Sequence, residues 1–303
     1  MSIEPKSFTN ADEAIKFLES LAYGKKRYVF RGQKDDKPLT TTYARFLKLL
    51  PASRELPNMI ELFEVGLIKN NIIPFKEENK MGWLDWMEYA RHCGVPVPCI
   101  DFSYSPYVAL FFAFNGLSKR KDIPKEFIIY ALDVESLALE WAKHKCPVAY
   151  KPEEKEEFIT NNFHTFLRND NDFSKNKFPD GELKFISFPG RRCKKMQDQH
   201  GVLLYDTVDY GSIGFKNLDD FMEKAKETSI HTDAGKVTTT AMLFKVSIKT
   251  EWAGDIFNRL ELMGVTGGRL LSSPEGVADD VRNAYHYNPK VSYLRDVSFD
   301  KGS

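Results

Sequence analysis

The 303-residue chain is long enough for one large domain or two small ones. Its 42% hydrophobic and 28% charged residues are ordinary for a globular protein that buries a sizeable core. Lys and Arg together number 43, as do Asp and Glu, so no overall field attracts nucleic acid or an acidic membrane. This balance disfavours a general electrostatic nucleic-acid binder.

Several features predict a soluble, cytoplasmic protein without a metal site. The first residues are polar and acidic, unlike a signal peptide, and no apolar stretch approaches the ~20 residues that span a bilayer. The four cysteines are scattered, as is usual for reduced thiols inside cells. His92, Cys93 and Cys99 lack a fourth ligand for zinc.

The N-terminal part of the chain predicts a helix followed by a strand. Thr9 and Asn10 form a helix-start signal, and apolar residues then recur at helical spacing up to Leu21. Residues 28–30 favour a strand that ends at Arg31. Residues 40–50 and 57–70 are predicted helices, the second of which directs four residues inward: Ile60, Phe63, Leu67 and Ile68.

The next segment carries polar residues at the joint between two apolar elements. A helix with Trp83, Trp86, Met87 and Ala90 on one face ends at Gly94. Residues 95–100 contain prolines and predict an edge or irregular strand. Residues 107–114 are apolar on nearly every face, which predicts a central core helix. Ser105-Pro106 is a typical start for that helix.

The remaining elements indicate one α+β domain over residues 1–303, with a mixed or antiparallel sheet surrounded by helices. Strands are predicted at 126–133, 183–188, 202–205 and 241–248, and helices at 134–145, 251–264 and 274–286. The core spans about 8–288. Residues 151–180 are highly charged and predict a surface insert.

Two charged residues stand out at strand ends. Arg31 offers a planar fork for phosphate or carboxylate, and Gly32 beside it leaves room for a ligand; a surface arginine at a strand exit is the alternative. Asp101 follows an apolar strand and lies too far from the 107–114 helix to cap the turn that Ser105 caps. It therefore needs an arginine in the core or a ligand as its partner.

Other polar residues allow two interpretations each. His92 in the last turn of its helix is suited to the helix dipole or to catalysis. Gln199 could bind a substrate or shape the turn before a strand. The basic cluster of Arg191, Arg192, Lys194 and Lys195 could hold phosphates, although a solvated face is the ordinary interpretation.

Taken in order, these residues resemble the FRG domain, named for its Phe-Arg-Gly signature. The sequence has YVFRGQ at 28–33, Arg45 in TTTYARF, HCGVP at 92–96, IDFS at 100–103 and ALFFAF at 109–114. Later, QHGVL at 199–203 resembles the family's Gln-x-Gly strand, and LELMGVTGGRLLSSPEGVADDV resembles its closing segment. The likeness covers about residues 8–288.

The chain departs from the family pattern near Asp101. Val97-Pro98 stands where the family usually has Thr-Arg, Phe102-Ser103 replaces Trp-Thr, and Leu203 replaces an aromatic residue. If the family's arginine pairs with the aspartate, Asp101 requires another partner, and Arg31 and Arg45 are the candidates.

The resemblance implies a fold similar to that of ADP-ribosyltransferases, with NAD as the substrate and no metal. It implies Arg31, Asp101, Ser103 and Gln199 as catalytic residues, with Asp101 in place of the usual glutamate. A positive fork would hold phosphates, a hydroxyl would lie near the nicotinamide ribose, and a polar or acidic group would stabilise the oxocarbenium-like charge. The implied substrate-binding residues are Gly32, Gln33, Arg45, His92 and His200.

Three functions follow as expectations. The first is an NAD-consuming ADP-ribosyltransferase or glycohydrolase, a toxin or effector in bacterial anti-phage defence that modifies a protein or nucleic-acid target. The second is a non-catalytic sensor of a phage product or nucleotide. The third is a metal-dependent nuclease, which would need clustered carboxylates such as Asp85, Glu88 and Asp101.

Overall fold

The computed structural model describes residues 3–49, 59–72, 83–116, 122–145, 181–186, 194–224, 230–233, 236–239 and 241–287. The predicted insert at 151–180 lies outside these residues, as do Arg191 and Arg192 of the basic cluster. None of the described helices has the length and apolar character that crossing a bilayer requires.

A mixed sheet forms the centre of the described chain. The strands are β1 (Ile3–Lys6), β2 (Tyr28–Gln33), β3 (Cys99–Ser103), β4 (Glu126–Asp133), β5 (Leu183–Ile186), β6 (Gly201–Asp206), β7 (Ile230–Asp233), β8 (Lys236–Thr239) and β9 (Leu243–Lys249). Seven of them form one sheet in the order β1-β9-β4-β2-β3-β6-β5, and β7 pairs with β8 separately. In the large sheet β1 runs parallel to β9, and every other neighbouring pair is antiparallel.

Helices cover the sheet. They are α1 (Ala11–Ala22), α2 (Thr42–Leu47), α3 (Met59–Lys69), α4 (Trp83–His92), α5 (Pro106–Phe114), α6 (Val134–Lys145), α7 (Lys194–Asp198), α8 (Leu218–Lys224), α9 (Ala253–Leu262), α10 (Gly267–Leu271) and α11 (Pro274–Tyr287). Apolar residues of α1, α5 and α9 pack on one face of the sheet, and those of α6 and α8 on the other. A smaller cluster joins α3 and α4 to β3 and β6.

Elements with a regular apolar pattern match their predictions. Asn10 caps α1 by accepting a hydrogen bond from the Glu13 amide, and Glu13 accepts one from the Thr9 amide in return. The bounds of β4 and α6 are those predicted. Helix α5 is buried as expected, and the Ser105 hydroxyl accepts from the Val108 amide at 3.4 Å. The α+β architecture with a mixed sheet is confirmed.

Three local predictions are wrong. Strand β2 does not end at Arg31 but continues to Gln33. The strand predicted at 95–100 begins only at Cys99, after both prolines, and continues through Asp101 to Ser103. It is an internal strand, because β2 and β6 pair with its two sides. Ile68 of α3 points outward with 64% of its surface exposed, since the helix meets the core through Ile60, with Phe63 packed beside it.

Strand β2 contacts α5 at Gly32 with no space for a side chain. A Cβ atom on Gly32 would lie 1.9 Å from the Ala109 carbonyl oxygen and 2.7 Å from the Ala113 amide nitrogen. Both are backbone atoms of α5, so no side-chain rotation can relieve the clash. The glycine therefore sets how closely the central helix approaches the sheet.

The burial of α5 predicts a large cost for Phe111→Ala. Phe111 is fully buried, and truncation of a buried Phe lowers the free energy of unfolding by about 3–5 kcal/mol. Urea denaturation measures the change. The matched variant Leu262→Ala, at a site that is 81% exposed, should stay within about 0.5 kcal/mol of the parent protein.

The close approach at Gly32 predicts opposite effects of one substitution at two glycines. Gly32→Ala should lower the free energy of unfolding by about 1–3 kcal/mol, because the added methyl group overpacks the interface with α5. Gly66→Ala should raise it by about 0.5–1 kcal/mol, because a Cβ there meets no atom within 4 Å and favours the helix α3. Equal effects in urea denaturation would contradict the assignment of Gly32 to this contact.

Candidate functional site

The candidate site lies where the large sheet opens between β2 and β3. Strand β2 pairs with β4 at six positions, and β3 pairs with β6 at five. Between β2 and β3 the ladder has one pair, Phe30 with Ser103. Beyond that pair the ladder does not continue, so backbone groups on the facing edges of β2 and β3 can bond with side chains.

Arg31 satisfies a backbone group at this opening. Its Nη1 donates a hydrogen bond to the Asp101 carbonyl oxygen at 2.7 Å. In a continued ladder, a backbone amide of β2 would be the donor. Burial lowers the pKa of the Arg31 guanidinium, and the nearby Asp101 carboxylate offsets part of that shift. Arg31 is therefore part of the strand junction and is not a surface arginine at a strand exit.

The Asp101 carboxylate is half exposed and lies between two arginines. Its side chain is 53% exposed, with Arg91 Nη1 at 2.5 Å from Oδ1 and Arg31 Nη1 at 3.9 Å from Oδ2. Of the two partners proposed for Asp101 from the sequence, Arg31 does lie near the carboxylate, but farther from it than Arg91. Arg45 instead donates to the Thr40 carbonyl, because α2 directs its side chain along its own N-terminal turn.

Arg91 is the functional candidate that the sequence analysis missed. It lies in the last turn of α4, and its Nη2 donates to Glu88 Oε1 at 3.2 Å. Burial acts to lower the pKa of Arg91, but the Asp101 and Glu88 carboxylates outweigh it and the pKa is raised. The sequence does carry a signal for its ion pair with Glu88, since an arginine three residues after a glutamate on a helix favours such a pair, but that spacing does not indicate Asp101.

The two serines after Asp101 link the strand to its neighbours. Ser103 Oγ donates to the Gln199 carbonyl at 2.7 Å and accepts a hydrogen bond from the Ser105 amide at 3.0 Å. Gln199 in turn donates from Nε2 to the Leu270 carbonyl at 2.9 Å. These bonds join β3, the turn before β6, and α10, and they leave the Gln199 amide oxygen to accept from a ligand.

A cavity of about 400 Å³ brings most of the predicted site residues together. Arg31, Asp101, Ser103 and Gln199 all line it, as do Gly32 and His92. The missed Arg91 lines it too, beside the apolar residues Phe30, Phe102, Val108, Ala109, Phe112 and Leu271. Its volume is within the range of small-molecule sites.

The other residues predicted to bind substrate have different positions. Gln33 donates to the Lys37 carbonyl at 2.8 Å and is not among the lining residues. Arg45 does not line the cavity either. His200 adopts a left-handed backbone conformation in the turn before β6 and lines a neighbouring cavity. His92 lies within 2.8 Å of Glu88 Oε1. It therefore belongs to a polar cluster at the end of α4, the Arg91 network, whose other members are Arg91, Glu88 and Asp101.

Residues 26–122 match the model of the FRG domain. The chain carries an FRG domain. The match contains YVFRGQ and the two blocks around His92 and Asp101, which carried the resemblance in the sequence. Gln199 and the C-terminal segment lie beyond it, so the likeness expected over 8–288 is confirmed for 26–122 alone. No curated protein and no solved structure matches the chain, and the similarity to ADP-ribosyltransferases stays a prediction.

The nuclease alternative gains no support from the carboxylates of the FRG domain. Among the described residues, no three His, Cys, Asp or Glu side chains form a group that could hold a metal ion. Glu88 and Asp101 both contact the Arg91 guanidinium. These two carboxylates therefore have basic side chains of the protein as partners.

The ion pair between Arg91 and Asp101 predicts a measurable coupling free energy. A double-mutant cycle of Arg91→Gln and Asp101→Asn, followed by urea denaturation, should give about 1 kcal/mol. The value is modest because half of the Asp101 side chain is in solvent. The cycle removes the separate effect of Arg91→Gln on Glu88, and additive single changes would show that the pair contributes nothing.

Proposed function

We propose that the protein cleaves the glycosidic bond between nicotinamide and ribose in NAD, as an ADP-ribosyltransferase or an NAD glycohydrolase. The observation that carries the proposal is the shared cavity, in which two guanidinium groups flank one carboxylate beside the Gln199 amide. The guanidinium groups suit an anionic dinucleotide, and the carboxylate suits a cationic transition state.

The arginines supply the binding half of the proposal. The Arg31 and Arg91 side chains both line the cavity. Guanidinium groups bind phosphate through several N–H donors at once. The diphosphate of NAD therefore lies against Arg31 and Arg91, and its negative charge replaces part of the interaction that each makes with Asp101.

Asp101 supplies the catalytic half. As the bond between ribose C1′ and the nicotinamide nitrogen breaks, nicotinamide leaves with the bonding electron pair as a neutral molecule. The ribose ring gains positive charge, which the Asp101 carboxylate stabilises. Water or an acceptor hydroxyl or amine then bonds to C1′, and its proton passes to Asp101. Gln199 positions the ribose through its amide oxygen.

A binding module without turnover is the second candidate, and a specific observation favours it. Asp101 already contacts two arginines, and the single proton of Ser103 is donated to the Gln199 carbonyl. Side chains that already have ion-pair or hydrogen-bond partners suit recognition of a nucleotide or a phage product at least as well as catalysis. In this case the same arginines bind the ligand and Asp101 sets the geometry of the site.

A role as a toxin in defence against phage belongs to the same proposal. Depletion of NAD halts the metabolism on which phage replication depends. The expected result is a fall in cellular NAD after infection of bacteria that express the protein, measured by mass spectrometry of extracts. Unchanged NAD in infected cells that survive would contradict this role.

The decisive test incubates the purified protein with NAD and follows nicotinamide by mass spectrometry. The parent protein should release nicotinamide, and the nearly isosteric Asp101→Asn should reduce the rate at least ~100-fold, as loss of one electrostatic stabiliser does. Its melting temperature should change little, because the side chain is half exposed and an amide oxygen can still accept from Arg91.

The matched control is Asp122→Asn, which removes an exposed loop carboxylate and should keep full activity. Saturable binding of NAD without nicotinamide release would favour the binding module. Cleavage of metal-supplemented nucleic acid in a parallel incubation would favour the nuclease. Full activity of Asp101→Asn would remove Asp101 from the proposed mechanism.

A further inference from the structure

A second cavity of about 840 Å³ lies beside the candidate site. Its lining includes polar and charged residues from the turn before β6 and from α10, with apolar residues between them: Asp198, His200, Val265, Arg269, Leu270 and Ser272. No part of the function proposed above uses these residues. The volume is large enough for a nucleoside.

The two cavities are separated by one wall. Gln199 lines the first cavity and His200 the second, while Leu271 lines the first and Leu270 the second. The hydrogen bond from Gln199 Nε2 to the Leu270 carbonyl, 2.9 Å long, joins the two halves of this wall. Val108 lines both cavities, so a ligand that extends past the wall can occupy both.

Asp198 is oriented by a serine at the end of α10. Ser272 Oγ donates to Asp198 Oδ2 at 3.0 Å. Both Ser272 and His200 are non-glycine residues in the left-handed region, with φ of 46° and 47°. Each follows the end of a helix, where this conformation is common, and Ser272 is the C-cap of α10. The bond from Ser272 orients the carboxylate and leaves Oδ1 to accept hydrogen bonds from a ligand.

Arg269 offers a flat surface in the same cavity. Its Nη1 donates to the Gly264 carbonyl at 3.3 Å, and a Cβ atom on Gly264 would lie 2.4 Å from that nitrogen. The guanidinium therefore lies close against the glycine, which has a positive φ of 70°. A guanidinium held in this way can stack on an aromatic ring.

We propose that the second cavity binds the adenosine half of a dinucleotide whose nicotinamide half occupies the first. Asp198 accepts hydrogen bonds from the ribose hydroxyls, as carboxylates do in dinucleotide-binding proteins. Arg269 stacks on the adenine ring, and Val265 and Leu270 supply apolar contacts. The identity of the first half rests on the function proposed above.

The adjacency of the cavities is the reason to infer one ligand with two halves. A dinucleotide consists of two nucleosides joined by a diphosphate, so it needs two neighbouring pockets and cations near the phosphates. Arg31 and Arg91 supply the cations on one side of the wall. On the other side the Asp198 carboxylate and the Arg269 guanidinium oppose each other in charge, which suits a neutral nucleoside.

The test uses adenosine monophosphate and nicotinamide mononucleotide as separate probes in calorimetric titrations. The parent protein should bind both. Asp198→Asn and Arg269→Lys should each weaken binding of adenosine monophosphate about tenfold and leave the other probe unchanged. Arg91→Gln should weaken binding of both probes, because the phosphate of each lies against Arg91, and Asp122→Asn should change neither. Circular dichroism spectra of the variants should match that of the parent.

The outcomes separate this inference from the proposed function. Adenosine monophosphate that fails to bind, or binds equally well to Asp198→Asn and Arg269→Lys, overturns the inference. Nicotinamide release with a KM for NAD that Asp198→Asn leaves unchanged overturns it too, while the proposed function stands. Binding of adenosine monophosphate that depends on Asp198, without nicotinamide release by the parent, supports the second cavity and rejects the proposed reaction.

Discussion

The organisation of the site depends on the hydrogen bond from Arg31 to the Asp101 carbonyl. A sheet that opens between two internal strands leaves backbone groups without ladder partners, and each buried group without a partner is costly. Here the Arg31 guanidinium on β2 takes the place of a backbone N–H as the donor to the Asp101 carbonyl of β3. The opening is therefore compatible with a stable core, and residues of both strands line the cavity there.

The same constraint explains the polar residues between two buried elements. Asp101 lies on the part of β3 that faces the opening, and Ser103 lies at the last ladder pair. Ser103 ties the strand to the turn that carries Gln199, and Ser105 begins the central helix. Helix α5 packs directly on Gly32, so both sides of the opening rest on one rigid element.

Sequence reasoning succeeded where the signal was local. Helix α5 and the β4–α6 unit follow from apolar patterning and capping, which act within a few residues. The predicted start of β3 is wrong because it includes the prolines at 96 and 98, which belong to an apolar run that precedes the strand. A one-sided strand was expected there, and only the sheet order shows that β3 is paired on both sides.

The candidate site was predictable in part, for a different reason. Arg31, Asp101 and Gln199 were grouped through a family resemblance, since nothing in their spacing brings them together. Arg91 is not predicted as a site residue because an arginine in the last turn of a helix is ordinary on a solvated face. Its position beside Asp101 depends on how α4 packs against β3, which is a tertiary contact that no local pattern encodes.

The Arg91 network also determines which of its contacts a ligand can replace. Glu88 is buried, with 5% of its side chain exposed, and Asp101 is half exposed. Separating Arg91 from Glu88 would remove the guanidinium from a buried carboxylate, at a cost of about 3–5 kcal/mol. Separating it from Asp101 exposes groups that water can solvate, at about 1 kcal/mol or less. An anionic ligand therefore competes at the Asp101 side of the guanidinium, while Glu88 keeps Arg91 in place, and binding of the anion is coupled to release of the carboxylate that the proposed reaction needs.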